Sequence, residues 1–274
     1  MLAGATIIGI ANPVLLVYAR EDEARAIEQA RSAVKTSTES LISAKDEPNQ
    51  NDEEKELKKL AAAKETLKNV TTLGVAEIGA LEKKLTNLEI EKLVTDDYTF
   101  DAVDINDKFA AGLTEGKAHY RAVGKSLERV ATLDEIQKIA AELQEWRERI
   151  YVPLVKNLFS IELVLRQKGM VTMGNARFEK ILNDLQRLKK AKLISLEAFE
   201  VVLRRATANQ RTAIALHAEA TQLLLTKLRG IHETIENQRI TNLVEQSFAQ
   251  VRQLYKQFME VNRLLKELLA SNVK

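Results

Sequence analysis

The chain has 274 residues, with 41 Lys and Arg against 39 Asp and Glu, so its formal net charge is only +2. Its 10 Gly and 3 Pro are about 4% and 1% of the residues, against about 7% and 5% in average proteins. A chain poor in turn formers and rich in Ala, Leu, Glu, Lys and Arg is typical of long helices, which argues against β-sandwiches, α/β nucleotide folds and general disorder.

Residues 1–19 contain no charged side chain, and the first charge follows at Arg20. About 18 apolar residues are enough to span a bilayer, and Val17-Tyr18-Ala19 is typical of a signal-peptidase site. The positively charged stretch that ordinarily opens a signal peptide is missing, so a buried core segment is the alternative. The segment predicts a signal peptide or membrane anchor, and hence an extracytoplasmic protein that is secreted, periplasmic or held at the membrane by its N-terminus.

Residues 20–130 form the predicted N-terminal helical region, and the apolar spacing in it predicts helices over 20–46, 53–91 and 108–130. Pro48, with Asn and Asp around it, predicts a turn over 47–52. Between the second and third helices, residues 94–107 break the periodicity with five Asp, which predicts an acidic loop. Calcium is a weaker alternative, because the central Gly and final Glu of a calcium loop are absent.

Residues 131–274 form the predicted C-terminal helical bundle, although 20–274 as one domain stays open. Thr132 and Glu135 have the spacing of a capping box, so a helix is expected to begin there. Pro153 is expected to kink or end that helix. Gly169 and Gly174 predict a second break, and Ser195 is the expected N-cap of the next helix.

The last two predicted helices, 196–228 and 240–268, carry the clearest pattern in the chain. Apolar residues occupy seven of eight seven-residue-repeat positions in the first and eight of nine in the second. Such a repeat favours coiled-coil-like pairing. With Gly230 as a helix stop, it predicts an antiparallel hairpin, and an uninterrupted helix is the alternative. Asn209 is the polar exception in the first helix. The predicted fold class is therefore all-α, an elongated antiparallel helical bundle.

No motif for catalysis or for a cofactor is found. The three histidines lack the Glu-x-x-His spacing of a di-iron bundle, and His232-Glu233 lacks the second His of a zinc-protease helix. The absence of cysteine excludes disulfides and thiolate metal sites. We therefore predict a protein that is not an enzyme, without cofactor, metal or evident small-molecule substrate. The densest basic stretch, which starts at Arg187, closes a predicted helix, so no nucleic-acid partner is expected.

Trp146, Arg147 and Tyr151 are the candidate partner-contact residues, because Trp, Tyr and Arg are the usual anchors of interfaces. The alternative, favoured by the spacing of Trp146 from Leu143 and Ile150, is that the only Trp of the chain fills the core beside a kink.

Two stretches of the chain resemble other proteins. EWRERIYVPLVKNLFSIELVLRQKGMVTMGNARFEKI and VRQLYKQFMEVNRLLKELL are similar to segments of uncharacterised exported helical-bundle proteins of small-genome uncultured bacteria. The resemblance covers about a quarter of the chain, and it implies an envelope protein without indicating an activity.

The pattern as a whole predicts a structural or interaction scaffold that binds a protein partner, or itself, through its helices. A membrane-acting bundle similar to helical pore-forming toxins, inserting residues 1–19, is one alternative. A ligand-binding sensor domain, with a pocket near Trp146 or the Asp-rich loop, is another.

Overall fold

The computed structural model describes residues 21–43, 52–93, 102–228 and 237–271. Of these residues 95% are helical and none lies in a strand, which confirms an all-α helical bundle. The α-helices of the described residues are α1 (Glu21–Ser43), α2 (Asp52–Thr86), α3 (Ala102–Ser126), α4 (Leu133–Trp146), α5 (Val152–Lys190), α6 (Glu200–Leu228) and α7 (Asn237–Ser271). Residues 1–19, the turn centred on Pro48 and the stop at Gly230 lie outside the described residues.

The helices group into two compact units. Unit 1 contains the described residues up to Leu88 together with Val103–Val155, and unit 2 contains the described residues of Glu89–Ala102 and of Lys156–Lys274. The boundary therefore falls inside α5, and not between residues 130 and 131 as predicted from the sequence. The capping box at Thr132 does begin a new helix, but that helix packs back onto α3 through Trp146.

Unit 1 is built from helices that run antiparallel to their neighbours in the chain. Asn69 of α2 donates a hydrogen bond to the carbonyl of Ala33 in α1. Between α2 and α3, Gly74 lies against Tyr120 and Ile78 lies against Gly116. Small residues at these crossings let the helices approach closely, and a buried apolar stripe on each helix fills the space between them. The core of α2 includes Leu67, Val70, Leu73, Ile78, Leu81 and Leu85.

Unit 2 is a three-helix arrangement of α5, α6 and α7. Helices α6 and α7 run antiparallel, since Ser247 donates to the carbonyl of Ala213 and Asn209 donates to Gln257, each over 3.0 Å. The antiparallel pairing predicted from the repeat is thus confirmed. The repeat positions form the core of the pair, and the buried ones are Phe199, Val202, Ala206, Ala213, Ala220, Ile240, Val244, Ser247, Val251, Leu254, Phe258 and Val261.

Pro153 is accommodated by a π-helical turn over Arg147–Tyr151. Proline lacks an N–H donor, and its ring collides with the carbonyl four residues earlier in a regular α-helix. In the wider turn, the N–H of Val152 instead bonds to the carbonyl of Arg147, five residues back. The expected disturbance at Pro153 is therefore a widened turn, after which α5 continues for 39 residues.

Two sequence-based expectations about helix breaks were wrong. Helix α5 runs unbroken through Gly169 and Gly174. Gly174 packs against Leu254 and Val251, so its small size serves close helix packing. Helix α3 already begins at Ala102, so the last part of the expected acidic loop, residues 102–107, is helical, while 94–101 lie outside the described residues. Its apolar stripe starts with buried Ile105 and Phe109, and Asp104 pairs with Lys108 four residues later over 2.6 Å.

The capping box expected at Thr132 is present. Thr132 Oγ1 accepts from the N–H of Glu135, and Glu135 Oε2 accepts from the N–H of Thr132 over 3.1 Å, which completes the capping box. Ser195 was expected to be the N-cap of the next helix, but the N-cap of the turn at Glu197–Phe199 is Leu196, which has no side-chain cap bond. The hydroxyl of Ser195 still accepts from the N–H of Glu197 over 3.3 Å. Among the described helices, none carries an apolar stretch of the length that a bilayer crossing needs.

Two glycines of α2 give a matched test of close packing. A Cβ added at Gly74 would overlap the ring of Tyr120, which is fully buried. A Cβ at Gly79 meets nothing within 4 Å. We expect Gly74→Ala to destabilise the protein by about 1–3 kcal/mol through overpacking, and Gly79→Ala to stabilise it by up to about 1 kcal/mol through helix propensity. Urea denaturation measures both changes in the free energy of unfolding, and equal effects of the two variants would contradict the close contact of Gly74 with Tyr120.

Candidate functional sites: a buried charged cluster and an apolar groove

Unit 1 contains a cluster of charged and aromatic side chains in its interior, which we call the charged cluster: Arg31 of α1, Glu77 of α2, His119 and Tyr120 of α3, Trp146 at the end of α4, and Arg147 and Tyr151 of the π-helical turn. Four segments that are distant in the sequence thus contribute to one site. Charged groups inside a bundle are costly unless they are paired and hydrogen-bonded, so their contacts decide what the cluster can do.

Arg147 is the centre of the cluster. Its Nη1 donates to the hydroxyl of Tyr120 over 2.6 Å. Its guanidinium carbon lies 5.8 Å from the centroid of the Tyr120 ring and 5.4 Å from that of Tyr151, within the range of cation–π attraction. Only 8% of Arg147 is exposed. The two rings therefore stabilise a cation that has little contact with water.

Glu77 is the acid of the cluster, and it faces two arginines. Its Oε2 accepts a long hydrogen bond of 3.4 Å from the hydroxyl of Tyr151, and its Oε1 lies 3.8 Å from Arg31 Nη2. Burial raises the pKa of Glu77, while the positive charges of Arg147 and Arg31 act in the opposite direction. Burial likewise raises the pKa of Tyr120 and of Tyr151, so both phenols stay protonated and able to donate.

Trp146 forms the aromatic side of the cluster. Its ring stacks on His119 with centroids 4.1 Å apart, and it lies 5.4 Å from the Tyr120 ring in an edge-to-face arrangement. It also stacks on Tyr151 at 6.0 Å. Burial lowers the pKa of His119, with Glu115 acting against it. The half-buried Trp146 thus packs in the helical interior beside the π-helical turn.

The structure brings the three candidate partner-contact residues together, but it places them differently from an interface. Arg147 and Tyr151 are buried in unit 1, and Trp146 is half-buried. A docking partner would have to displace a helix to reach Arg147 or Tyr151. Arg31, Glu77 and Tyr120 were not singled out from the sequence. The available signal is their spacing, since Arg31 follows Ile27 by four residues and Glu77 precedes Leu81 by four, where an apolar stripe would continue.

A second candidate site is an open apolar groove on unit 2, between α5 and α7, with a volume of about 460 Å³. Its floor is apolar and its rim carries Arg177, Lys180 and Asp184. Met259 stands at the groove with 66% of its surface exposed. The floor residues are Ile181, Leu185, Leu188, Tyr255, Phe258, Val261 and Leu265. An exposed apolar groove of this kind is a common feature of surfaces that bind other molecules.

Unit 2 also buries polar groups at the contact of α5 with α6. Nδ1 of His217 lies 3.0 Å from Oε1 of Gln167, a residue with no exposed surface. An amide oxygen can only accept, so a neutral imidazole protonated at Nδ1 fits this contact. Burial lowers the pKa of His217 to about 4, with a further contribution from the positive charge of Lys168.

Neither site has the composition of a metal centre. Among the described residues, no three His, Asp or Glu side chains lie close enough together to hold a metal ion. The chain matches no protein-family model, and neither curated proteins nor solved structures show significant similarity to it.

Tyr120→Phe tests the polar contact at the centre of the charged cluster. The variant removes the hydroxyl that accepts a hydrogen bond from Arg147, so a buried guanidinium N–H is left without an acceptor. We expect this to lower the free energy of unfolding by about 1–3 kcal/mol. Urea denaturation gives the change. Tyr255→Phe is the control, because the described contacts of Tyr255 are made by its ring, and it should change stability by less than about 0.5 kcal/mol. Equal losses in the two variants would contradict a role for the Tyr120 hydroxyl.

The low pKa of His217 predicts a pH dependence of stability. The folded pKa is about 4 and the ordinary value is 6.5, so between these pH values the unfolded chain binds more protons than the folded one. Stability should therefore fall as the pH is lowered from 6.5 towards 4, and this contribution levels off below 4. Because His217 is partly exposed, we expect a loss of only about 1–2 kcal/mol.

Thermal denaturation between pH 7 and pH 4 checks this, with His217→Gln as the comparison. The variant keeps an amide for hydrogen bonding but has no titrating group, so its stability should fall less over the same range. Parallel curves for the two proteins would show that His217 does not carry the dependence.

Proposed function

We propose that the protein is a non-enzymatic interaction scaffold that binds an amphipathic helix of a protein partner in the apolar groove of unit 2. We further propose that it acts in a bacterial envelope, released from or anchored to the membrane by residues 1–19. The groove is the observation that supports the binding role. The apolar character of residues 1–19 and the resemblance to exported helical proteins support the location.

The shape of the groove fits a helix. It runs between α5 and α7, and its lining residues recur along each helix at helical spacing, such as Ile181, Leu185 and Leu188 on α5. A helix added between them would bury its own apolar stripe against that floor, as in other helix-in-groove complexes. The flexible thioether of Met259 adapts to differently shaped apolar side chains.

The rim indicates the charge of the partner. Arg177 and Lys180 stand at one end of the groove, while the acid Asp184 already lies 4.0 Å from Arg187. The positive end therefore favours an amphipathic helix that carries Asp or Glu beside its apolar stripe. Opposite charges at such a rim contribute mostly to specificity and to the association rate.

Binding is tested with three designed helical peptides labelled with a fluorophore. Two of them share one apolar stripe, with Leu at positions i, i+4 and i+7, and differ in being flanked at one end by Glu or by Lys. The third peptide has a scrambled stripe. We expect the Glu-flanked peptide to bind, about tenfold more tightly than the Lys-flanked one, and the scrambled one not to bind. Fluorescence anisotropy gives the affinities.

Two variants locate the binding. Met259→Glu should weaken binding of the Glu-flanked peptide at least about tenfold, because it places a like charge in the apolar groove. Val201→Glu is the matched control, since Val201 is also exposed, at 51%, on unit 2 but does not line the groove, and it should bind like the parent protein. Absence of binding by every peptide, or equal loss in both variants, would overturn the groove proposal.

The location is tested by expressing the full gene in a bacterial host and fractionating the cells, with intact mass measured on each fraction. An extracytoplasmic species that begins at Arg20 supports a cleaved signal peptide, and a full-length membrane species supports an anchor. A full-length species in the cytoplasm would overturn the envelope location.

A further inference from the structure

Arg31 occupies an unusual position in the charged cluster of unit 1. Its side chain is only 13% exposed, and its Nε, Nη1 and Nη2 atoms are all inaccessible to solvent. The carboxylate of Glu77 is its ionic partner and a distant hydrogen-bond acceptor, and no described group accepts a hydrogen bond of ordinary length from any of the three nitrogens. A guanidinium carries five N–H donors, and leaving charged donors unsatisfied in an interior is strongly unfavourable.

The carboxylate of Glu77 alone cannot accept hydrogen bonds from all the N–H groups of Arg31. Its Oε1 is 3.8 Å from Arg31 Nη2, beyond hydrogen-bond distance. Its other oxygen already accepts from Tyr151. A closer approach of Oε1 would satisfy at most two of the five donors, so acceptors would still be lacking on the remaining edges of the guanidinium.

The charge balance of the cluster points to the kind of group that Arg31 would take. Two guanidinium groups, those of Arg31 and Arg147, share the single carboxylate of Glu77 in the interior of unit 1. The phenols of Tyr120 and Tyr151 add hydroxyl groups but no charge while they are protonated. The cluster therefore has an excess of positive charge, which favours a negatively charged acceptor over a neutral one.

We propose that unit 1 binds a small oxyanion, held by the guanidinium of Arg31 beside Glu77 and Tyr151. Carboxylates and phosphates both present two oxygens at the spacing of the guanidinium fork, and bidentate pairs of this kind are the strongest that arginine makes. The site is independent of the groove on unit 2, so it goes beyond the scaffold role and would make the protein responsive to a small acidic metabolite or to phosphate.

The only Trp of the chain provides a specific probe for this site. Trp146 stacks on Tyr151, and Tyr151 bonds to the acid that faces Arg31. The full-length protein is titrated with sodium phosphate, with sodium acetate and with sodium chloride at matched ionic strength. We expect a saturable change of Trp146 fluorescence with phosphate or acetate and none with chloride.

Thermal unfolding in the same salts supplies a second readout, since a ligand that binds only the folded state shifts the folding equilibrium by the factor 1 + [L]/Kd. At a hundred times Kd, the folded-to-unfolded ratio should rise about a hundredfold over that in chloride. A response to phosphate alone assigns the site to phosphate, and a response to acetate assigns it to carboxylates.

Variants of two arginines on α1 connect the response to the site. Arg31→Gln should abolish the saturable change, and Arg31→Lys, which keeps the charge without the fork, should weaken it about tenfold. Arg25→Gln is the control, because Arg25 lies exposed on the same helix, and it should behave like the parent. Circular dichroism checks that each variant folds.

The proposal is overturned if phosphate and acetate act on the parent protein no differently from chloride, which would mean that water satisfies Arg31. It is also overturned if well-folded Arg31→Gln retains the full response. Both outcomes leave the peptide-binding test of the groove unaffected, so the two proposals can fail separately.

Discussion

The polar core of unit 1 depends on how closely the ring of Tyr120 approaches the backbone of Gly74. The ring occupies the space where any larger residue would place its Cβ, and this position brings its hydroxyl to Arg147. Arg147 in turn lies on the π-helical turn that precedes Pro153. A missing side chain, a buried phenol and a widened helical turn are therefore parts of one arrangement, and a change in any of them acts on the others.

In unit 2, polar pairs between the helices fix the register in which the helices pack. Its core repeats apolar residues, which alone would tolerate sliding by a heptad. Three polar pairs, each at one position along the helices, oppose such sliding: Ser247 with the carbonyl of Ala213, Asn209 with Gln257, and His217 with Gln167. In a shifted register each of these pairs would be broken, and a polar group would be left without its partner. Asn209, the polar exception in the repeat, thus has a described partner in α7.

Much of the fold could be predicted from the sequence because apolar spacing reports helix faces directly. The repeat of the last two helices identified the core positions, and the Thr132 capping box identified a helix start. The breaks expected at Gly169 and Gly174 were wrong because packing outweighs the intrinsic cost of about 1 kcal/mol for glycine in a helix. Pattern analysis treats charged residues as solvent-facing, so Arg31 and Glu77 were overlooked although they continue apolar stripes. The groove could not be predicted, since it depends on which sides of α5 and α7 their neighbours leave uncovered.

The way in which the chain is divided between the units has a consequence for biosynthesis. Unit 1 needs residues up to Val155, while Glu89–Leu93 already belong to unit 2. As the chain leaves the ribosome, α1, α2 and α3 emerge before α4 and the π-helical turn. Tyr120 and Glu77 therefore cannot form their contacts with Arg147 and Tyr151 until that turn has emerged. A chain stopped at residue 130 would present a half-formed ionic core to water, and that core can be completed only after translation has passed Tyr151.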